Sequence, residues 1–252
     1  MSNDIVTMIW KELREWIRMP TSTIAGSRFG GLIGLLGPVG LIGIGIPIVA
    51  KAAWVTSTLS LIAIGWIPLV MMLFAVADSF AGERERHTLE TLLATRLSDE
   101  AILAGKIVSA VIAAWGQMVA CLIIGLVTVN VAYGHGQLLM FAGLDIAAFL
   151  VFTLLLSILE ACAGVLLCLR AATVRQAVRN LFSGFVAVVF GGIFIASPKA
   201  LPATWREAFI TNVFGGSQLR TMILLALMLA ALDLALYSAA RVRFQRARLI
   251  LD

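Results

Sequence analysis

Two carboxylates stand deep in apolar sequence: Glu160 inside the run Leu144–Leu169, and Asp233 inside Leu219–Ala240. An acid at the centre of a bilayer is costly, so each is a candidate for a lined translocation path, a proton carrier, or an ion pair with an arginine such as Arg170 or Arg220. A polar contact between helices accounts for either equally well. Ser157, Cys162 and Gly164 around Glu160 mark a helix face turned inward. Gln117 and Asn130 are weaker candidates of the same kind. The other reactive side chains do not assemble. His87 and His135 are the only histidines, and they fall in loops on opposite sides of a membrane. They cannot share a metal, and no HExxH run occurs. Cys121, Cys162 and Cys168 lie in apolar runs without disulfide or metal spacing, and read as small buried fillers. Ser183-Gly184 has no histidine in its segment to serve as base, which sets aside an intramembrane serine hydrolase. A GxxxxGK[ST] phosphate loop is absent too: Glu100 stands five before Gly105, and Ile107 follows Lys106. The chain should therefore not hydrolyse ATP unaided.

The elements that must hold these groups are membrane helices. Of 252 residues, 61% are hydrophobic and 13% charged, against about 25% charged in a soluble domain. Mean hydropathy is +1.01. These values exclude a soluble enzyme, a disordered tail and a secreted disulfide scaffold. One crossing takes roughly 20 apolar residues. Six candidate segments follow, at about 29–50, 58–77, 102–132, 144–169, 181–196 and 219–240. The first is glycine-rich, holds the GxxxG pair Gly30 and Gly34, and should bend near Pro38. The third is long for one crossing, so it should tilt or project. The fifth is near the lower length limit. Between the last two, Pro198, Pro202, Trp205 and Phe209 interrupt an apolar stretch, as a short re-entrant outer hairpin would.

Residues 1–28 lack the apolar core of a signal peptide. Met8, Ile9, Leu13, Trp16 and Ile17 share one helical face, which predicts an amphipathic helix lying on the membrane surface. Trp10, Trp16, Trp54 and Trp205 fall at predicted interfaces, where bland anchoring explains them. With the N-terminus inside, only Lys51, Lys199, Arg206 and Arg220 of the 19 Lys and Arg fall outside. The positive-inside rule then puts both termini in the cytoplasm. Arg241, Arg243, Arg246 and Arg248 suit anionic lipid head groups. The net charge of +5 needs no nucleic acid to explain it. The expected fold is thus an all-α membrane protein: an interfacial helix at 1–28, then a single six-span domain at 29–252.

The most informative stretch runs Asp78-Ser-Phe-Ala-Gly-Glu-Arg-Glu-Arg-His-Thr-Leu-Glu-Thr-Leu-Leu-Ala-Thr-Arg-Leu-Ser98. Leu89, Leu92, Leu93 and Leu97 repeat at helical spacing, which predicts a short amphipathic helix over about 83–97. Glu83 with His87, and Arg86 with Glu90, make i,i+4 pairs on its polar side. Ser98 is an N-cap, with Asp99 and Glu100 in the first turn of the next helix. A stiff charged helix held between two spans suits docking onto another protein, and it also suits a plain surface connection.

From Gly82 through Leu97-Ser98 to Gly105-Lys106, this stretch resembles the ABC-2 type permease family, and so does its place between spans two and three of a six-span chain. The family commonly has Gly and Pro where this chain has His87 and Arg96. The resemblance implies a membrane subunit that pairs with a second permease, as a homodimer or with a similar subunit. It also implies a separate ATPase subunit carrying ATP and Mg, docked on the loop helix as a coupling element. That role carries to Gly82, Glu83, Arg84, Glu85, Arg86, Thr88, Leu89, Glu90, Leu92 and Leu93. The charges would set register at the rim, and the leucines would anchor. By the same resemblance, spans one, two and five line a path at the dimer interface, and transport runs outward from a prokaryotic inner membrane. Two other readings keep this sequence: a mechanotransmitting or regulatory subunit that moves no cargo, and an orphan structural membrane protein. No feature of the acids or aromatics names a cargo.

Overall fold

A computed structural model of the chain describes residues 2–18, 36–88, 91–92, 94–169, 171, 173–196 and 218–244. The elements are α1 (Ser2–Arg18), α2 (Leu36–Ala50), α3 (Ala53–Thr56), α4 (Thr58–Glu85), α5 (Asp99–Tyr133), α6 (Gly143–Cys168), α7 (Val174–Ala196) and α8 (Gln218–Arg243). No strand occurs among the described residues. Among the described residues, four helices, α4, α5, α6 and α8, are long and apolar enough to cross a membrane.

Local chemistry explains where these helices start and bend. Ser57 caps α4, its Oγ accepting from the Leu59 N–H at 3.2 Å. Ser98 caps α5 in the same way, accepting from Ala101 N at 3.2 Å, and Asp99 and Glu100 fill the first turn. α5 then runs unbroken for 35 residues, about 52 Å at 1.5 Å per residue. That exceeds a hydrocarbon core of about 30 Å, as the length of its apolar run predicts. α2 takes a π form over Val39–Gly45, directly after Pro38, the predicted bend. The expected first span begins outside the described residues, and the expected re-entrant hairpin lies outside them entirely. α7 starts at Val174, earlier than the expected fifth span, and takes in Arg175 and Arg179.

The predicted single helix over 83–97 is not what forms. α4 continues through a π segment, Asp78–Gly82, and ends with Glu83–Glu85. The chain then turns at Arg86 and His87, with His87 in the left-handed region at φ 57°. Residues 94–97 are turns and bends. Residues 91–92 are helical, but the break at Arg86–His87 precedes all four leucines and the bends at 94–97 separate Leu97 from the others, so the leucine spacing overstates the helix.

α5 is the central element, packing against α1, α2, α4 and α6, while α8 packs along α6. Small residues set the closest approaches. A Cβ on Gly125 would stand 2.5 Å from the Trp54 ring, and one on Gly105 would stand 2.6 Å from Met8. Two buried clusters result. One joins Met8, Met72, Phe80, Leu103, Ile107 and Val165. The other joins Trp54, Ile64, Met118, Leu122 and Phe141. At the second cluster's end of the bundle, Tyr133 Oη donates to Ile48 O at 2.9 Å, and Asn130 exchanges two hydrogen bonds with Leu139 across the α5–α6 turn. At the other end, α1 meets the tip of α4 and the start of α5.

Candidate functional site

That crowded end is built around one lysine. Lys106, two turns into α5, is fully buried. Its Nζ lies 3.0 Å from Glu12 Oε1 of α1 and 2.9 Å from Glu83 Oε2 of α4. It donates to Ser79 O at 2.6 Å and lies over the Phe80 ring, 5.4 Å from the centroid. Lys11 closes the group, donating to Glu83 Oε1 at 2.7 Å and Glu12 Oε1 at 3.2 Å. Ser79 Oγ donates to Glu12 Oε2 at 3.1 Å. Lys106, Glu83 and Glu12 are thus balanced in the interior, with the half-exposed Lys11 closing the group from its edge, the arrangement that makes buried charge tolerable. Burial works against the charged form of Lys11, but Glu12 and Glu83 outweigh it and hold the ammonium above the usual lysine range. Burial likewise pushes Glu12 up, and the Lys106 and Lys11 charges overcome it, holding the carboxyl below the usual carboxylate range.

The rest of the α4 tip is fastened with equal care. Arg84 Nη1 donates to Ala171 O, beyond the end of α6, at 3.1 Å. Glu85 Oε2 accepts from Val174 N at 3.0 Å, a carboxylate at the first residue of α7 where the helix dipole favours it. Arg86 bridges back to Asp78 at 3.2 Å. Gly82 makes room for that bridge, since a Cβ there would stand 2.7 Å from Asp78 Oδ1. Thr88 N donates to Glu83 O at 2.9 Å, closing the turn. On the far side of the cluster, Arg241 of α8 pairs with Glu100 of α5 at 2.8 Å.

The sequence model of the ABC-2 type transporter family matches residues 3–214. The chain belongs to that family. The ABC-2 permease is the membrane component of a transporter and is not itself catalytic; the family works with an ATP-binding subunit. The comparison with curated proteins returns no match. The family match includes the buried ion cluster and Glu160, and it stops before α8 and Asp233.

Several residues expected at a docking rim are used inside this permease. Glu83 is buried, and Arg84 and Glu85 reach the α6–α7 connection. Among the described residues of the loop, Glu85, Arg86, His87, Thr88, Thr91, Ala94, Thr95, Arg96 and Ser98 are exposed. Leu92 packs against the core, while Leu89, Glu90 and Leu93 lie outside the described residues. The two intramembrane acids are not brought together. Asp233 shares a groove with Cys162 of α6, and at 100° per residue Glu160 points to the opposite side of that helix. Glu160 shares its face with Gly164, which contacts Val76 of α4 and Leu181 of α7. Gln117 is buried and bonded within α5's surroundings.

Sequence reasoning missed the cluster formed by Lys11, Glu12, Ser79 and Lys106. Its one visible signal was Lys106, a lone cation inside an otherwise apolar run.

Proposed function

We propose that this chain is the membrane-spanning subunit of an ATP-driven exporter, paired with a second copy of itself and docked through its polar end on a separate ATPase carrying ATP and Mg. The polar end faces the cytoplasm, with both termini there, in a prokaryotic inner membrane also contacted by anionic lipid through Arg241 and Arg243. Family membership supports the permease. The observation that carries coupling is the fastening of the α4 tip: its four successive residues Glu83–Arg86 bond to five different places. Glu83 reaches α1 and α5, Arg84 the end of α6, Glu85 the start of α7, and Arg86 the π segment of α4. A push on the exposed face of Arg86, His87, Thr88 and Arg96 is therefore passed to α1, α5, the end of α6 and the start of α7. Leu89 and Leu93 anchor the partner and Glu90 sets register at its rim, while the domain from 29 to 252 moves as the transport unit, with Glu160 and Gln117 as polar groups of its interior.

Purification from the native membrane in mild detergent should bring down a stoichiometric partner carrying a Walker A sequence. In liposomes, Leu89→Ala combined with Glu90→Ala should cut substrate-stimulated ATP turnover by roughly 30-fold or more, the loss of one strong anchor at about 2 kcal/mol. Turnover that survives both changes refutes coupling through this loop. Turnover that depends on the loop with no cargo moved identifies a regulatory subunit.

A further inference from the structure

α8 packs along α6 but leaves an open groove where α5, α6 and α8 face one another. Its volume is about 640 Å³, within the roughly 300–1,000 Å³ of sites for drug-sized ligands. Ile107 and Val111 of α5, Leu155 and Cys162 of α6, and Asp233 and Tyr237 of α8 are among its walls. The lining is apolar apart from the last two and the thiol. Asp233 is 7% exposed, and neither carboxylate oxygen has a hydrogen-bond partner among the described residues. Its helix offers a cation in Arg241, but that lies eight residues away toward the polar end, about 12 Å, and is held by Glu100.

We propose that this groove binds an amphipathic organic cation with N–H donors, its apolar body between α5, α6 and α8 and its charged amine at Asp233. On the permease reading, which this rests on, such cations are the substrate class. The chemistry is complementary at three points. The amine supplies both the charge and the donors that the carboxylate lacks, as a charge-assisted hydrogen bond. Tyr237, one turn further along the same face, offers an aromatic ring to the cation. The apolar walls suit a body that partitions into lipid. The groove occupies the half of the bundle nearer the polar end, since Ala104 and Tyr237 each lie one turn from Glu100 and Arg241. A molecule dissolved in that leaflet reaches it sideways, without crossing the bilayer. A lipid tail would fill the same walls and ignore the acid.

The test is equilibrium binding of rhodamine 123, a cationic ring system with free amino groups, to the purified full chain in nanodiscs, read by fluorescence anisotropy. Rhodamine 110, the same rings with a free carboxylate, is the control. Saturable binding of rhodamine 123 should weaken at least tenfold in Asp233→Asn and at least tenfold when the zwitterion replaces the cation. Glu160→Gln, on the opposite face of α6, should bind as the unaltered chain does. Leu155→Trp, which fills the groove without touching charge, should abolish binding while thermal stability stays level. Equal affinity in Asp233→Asn, equal affinity for the two dyes, or an equal loss in Glu160→Gln overturns the assignment; the first two would mark the groove as a lipid-tail slot. No ATPase enters this assay, so its failure leaves the permease reading standing, and a failure of loop-coupled turnover leaves this binding result standing.

Discussion

Buried charge is handled in two opposite ways in this permease. At the polar end, Lys11, Glu12, Glu83 and Lys106 surround one another, and Ser79 adds a hydroxyl and a carbonyl. In the groove, Asp233 is buried with neither oxygen partnered among the described residues. The first arrangement is complete in one chain and locks three helices together. The second is incomplete, and it keeps an interaction in reserve for something from outside. The contrast separates charges that build the fold from a charge the fold merely tolerates.

Lys106→Met attacks the complete side hardest. It leaves Glu12 and Glu83 beside a lost partner, so stability should fall by about 3–5 kcal/mol, read from thermal unfolding in detergent. Adding Lys11→Met, Glu12→Gln and Glu83→Gln should return most of it, because removing a buried ionic group entire is close to neutral. Failure of that rescue would mean the cluster's geometry, rather than its charge balance, is what counts.

Gly105→Ala tests the same joint without touching a charge. The new Cβ collides with Met8, so α1 must lift, at a cost of about 1–3 kcal/mol. An unchanged melting temperature would show that α1 can shift freely over α5.

Acid should loosen this end selectively. Glu12 titrates below its ordinary 4.5 in the folded chain. Its contribution is therefore complete above 4.5 and is lost as pH falls through the lower folded value. Lys11 titrates above its ordinary 10.5, so its share is complete below that value and lost only as pH rises through the folded one. The cluster should hold full strength between about pH 5 and 10, with melting temperature dropping on the acid side. Glu12→Gln should flatten that acid limb; an identical limb in the variant would place the acid sensitivity elsewhere.

The smallest effect belongs to the incomplete side. Asp233→Leu removes an unsatisfied buried group and should leave stability level or raise it by up to about 1 kcal/mol. A loss comparable to that of Lys106→Met would show that Asp233 has a structural partner after all, and would dissolve the contrast.

Much of this architecture is legible from local sequence. The α5 start follows from Ser98, Asp99 and Glu100, and its length from the apolar run behind them. The long apolar segments of α4, α6 and α8 declare themselves by hydropathy. What escapes is whatever depends on distant partners. Glu12 and Lys106 are 94 residues apart, and Lys11 and Glu83 are 72 apart; no periodicity connects them. Glu83 reads as a rim charge because its neighbours are charged, and it is buried because α1 covers it. The stretch 83–97 reads as one helix because its charge pairs and leucine spacing register neither the left-handed φ at His87 nor the bends at 94–97.

The π segment at Asp78–Gly82 has a consequence for how this chain tolerates change in length. Such a segment accommodates one residue beyond the α-helical count, and each residue advances an α-helix by 100°. Glu83 consequently faces Lys106 only because the wider turn beneath it has rotated the tip of α4 by about that angle. The aim of the tip is thus held in a count of residues rather than in any side chain. Deleting Ala81 alone would leave every ion-pairing group in the sequence and turn the tip away from its partners.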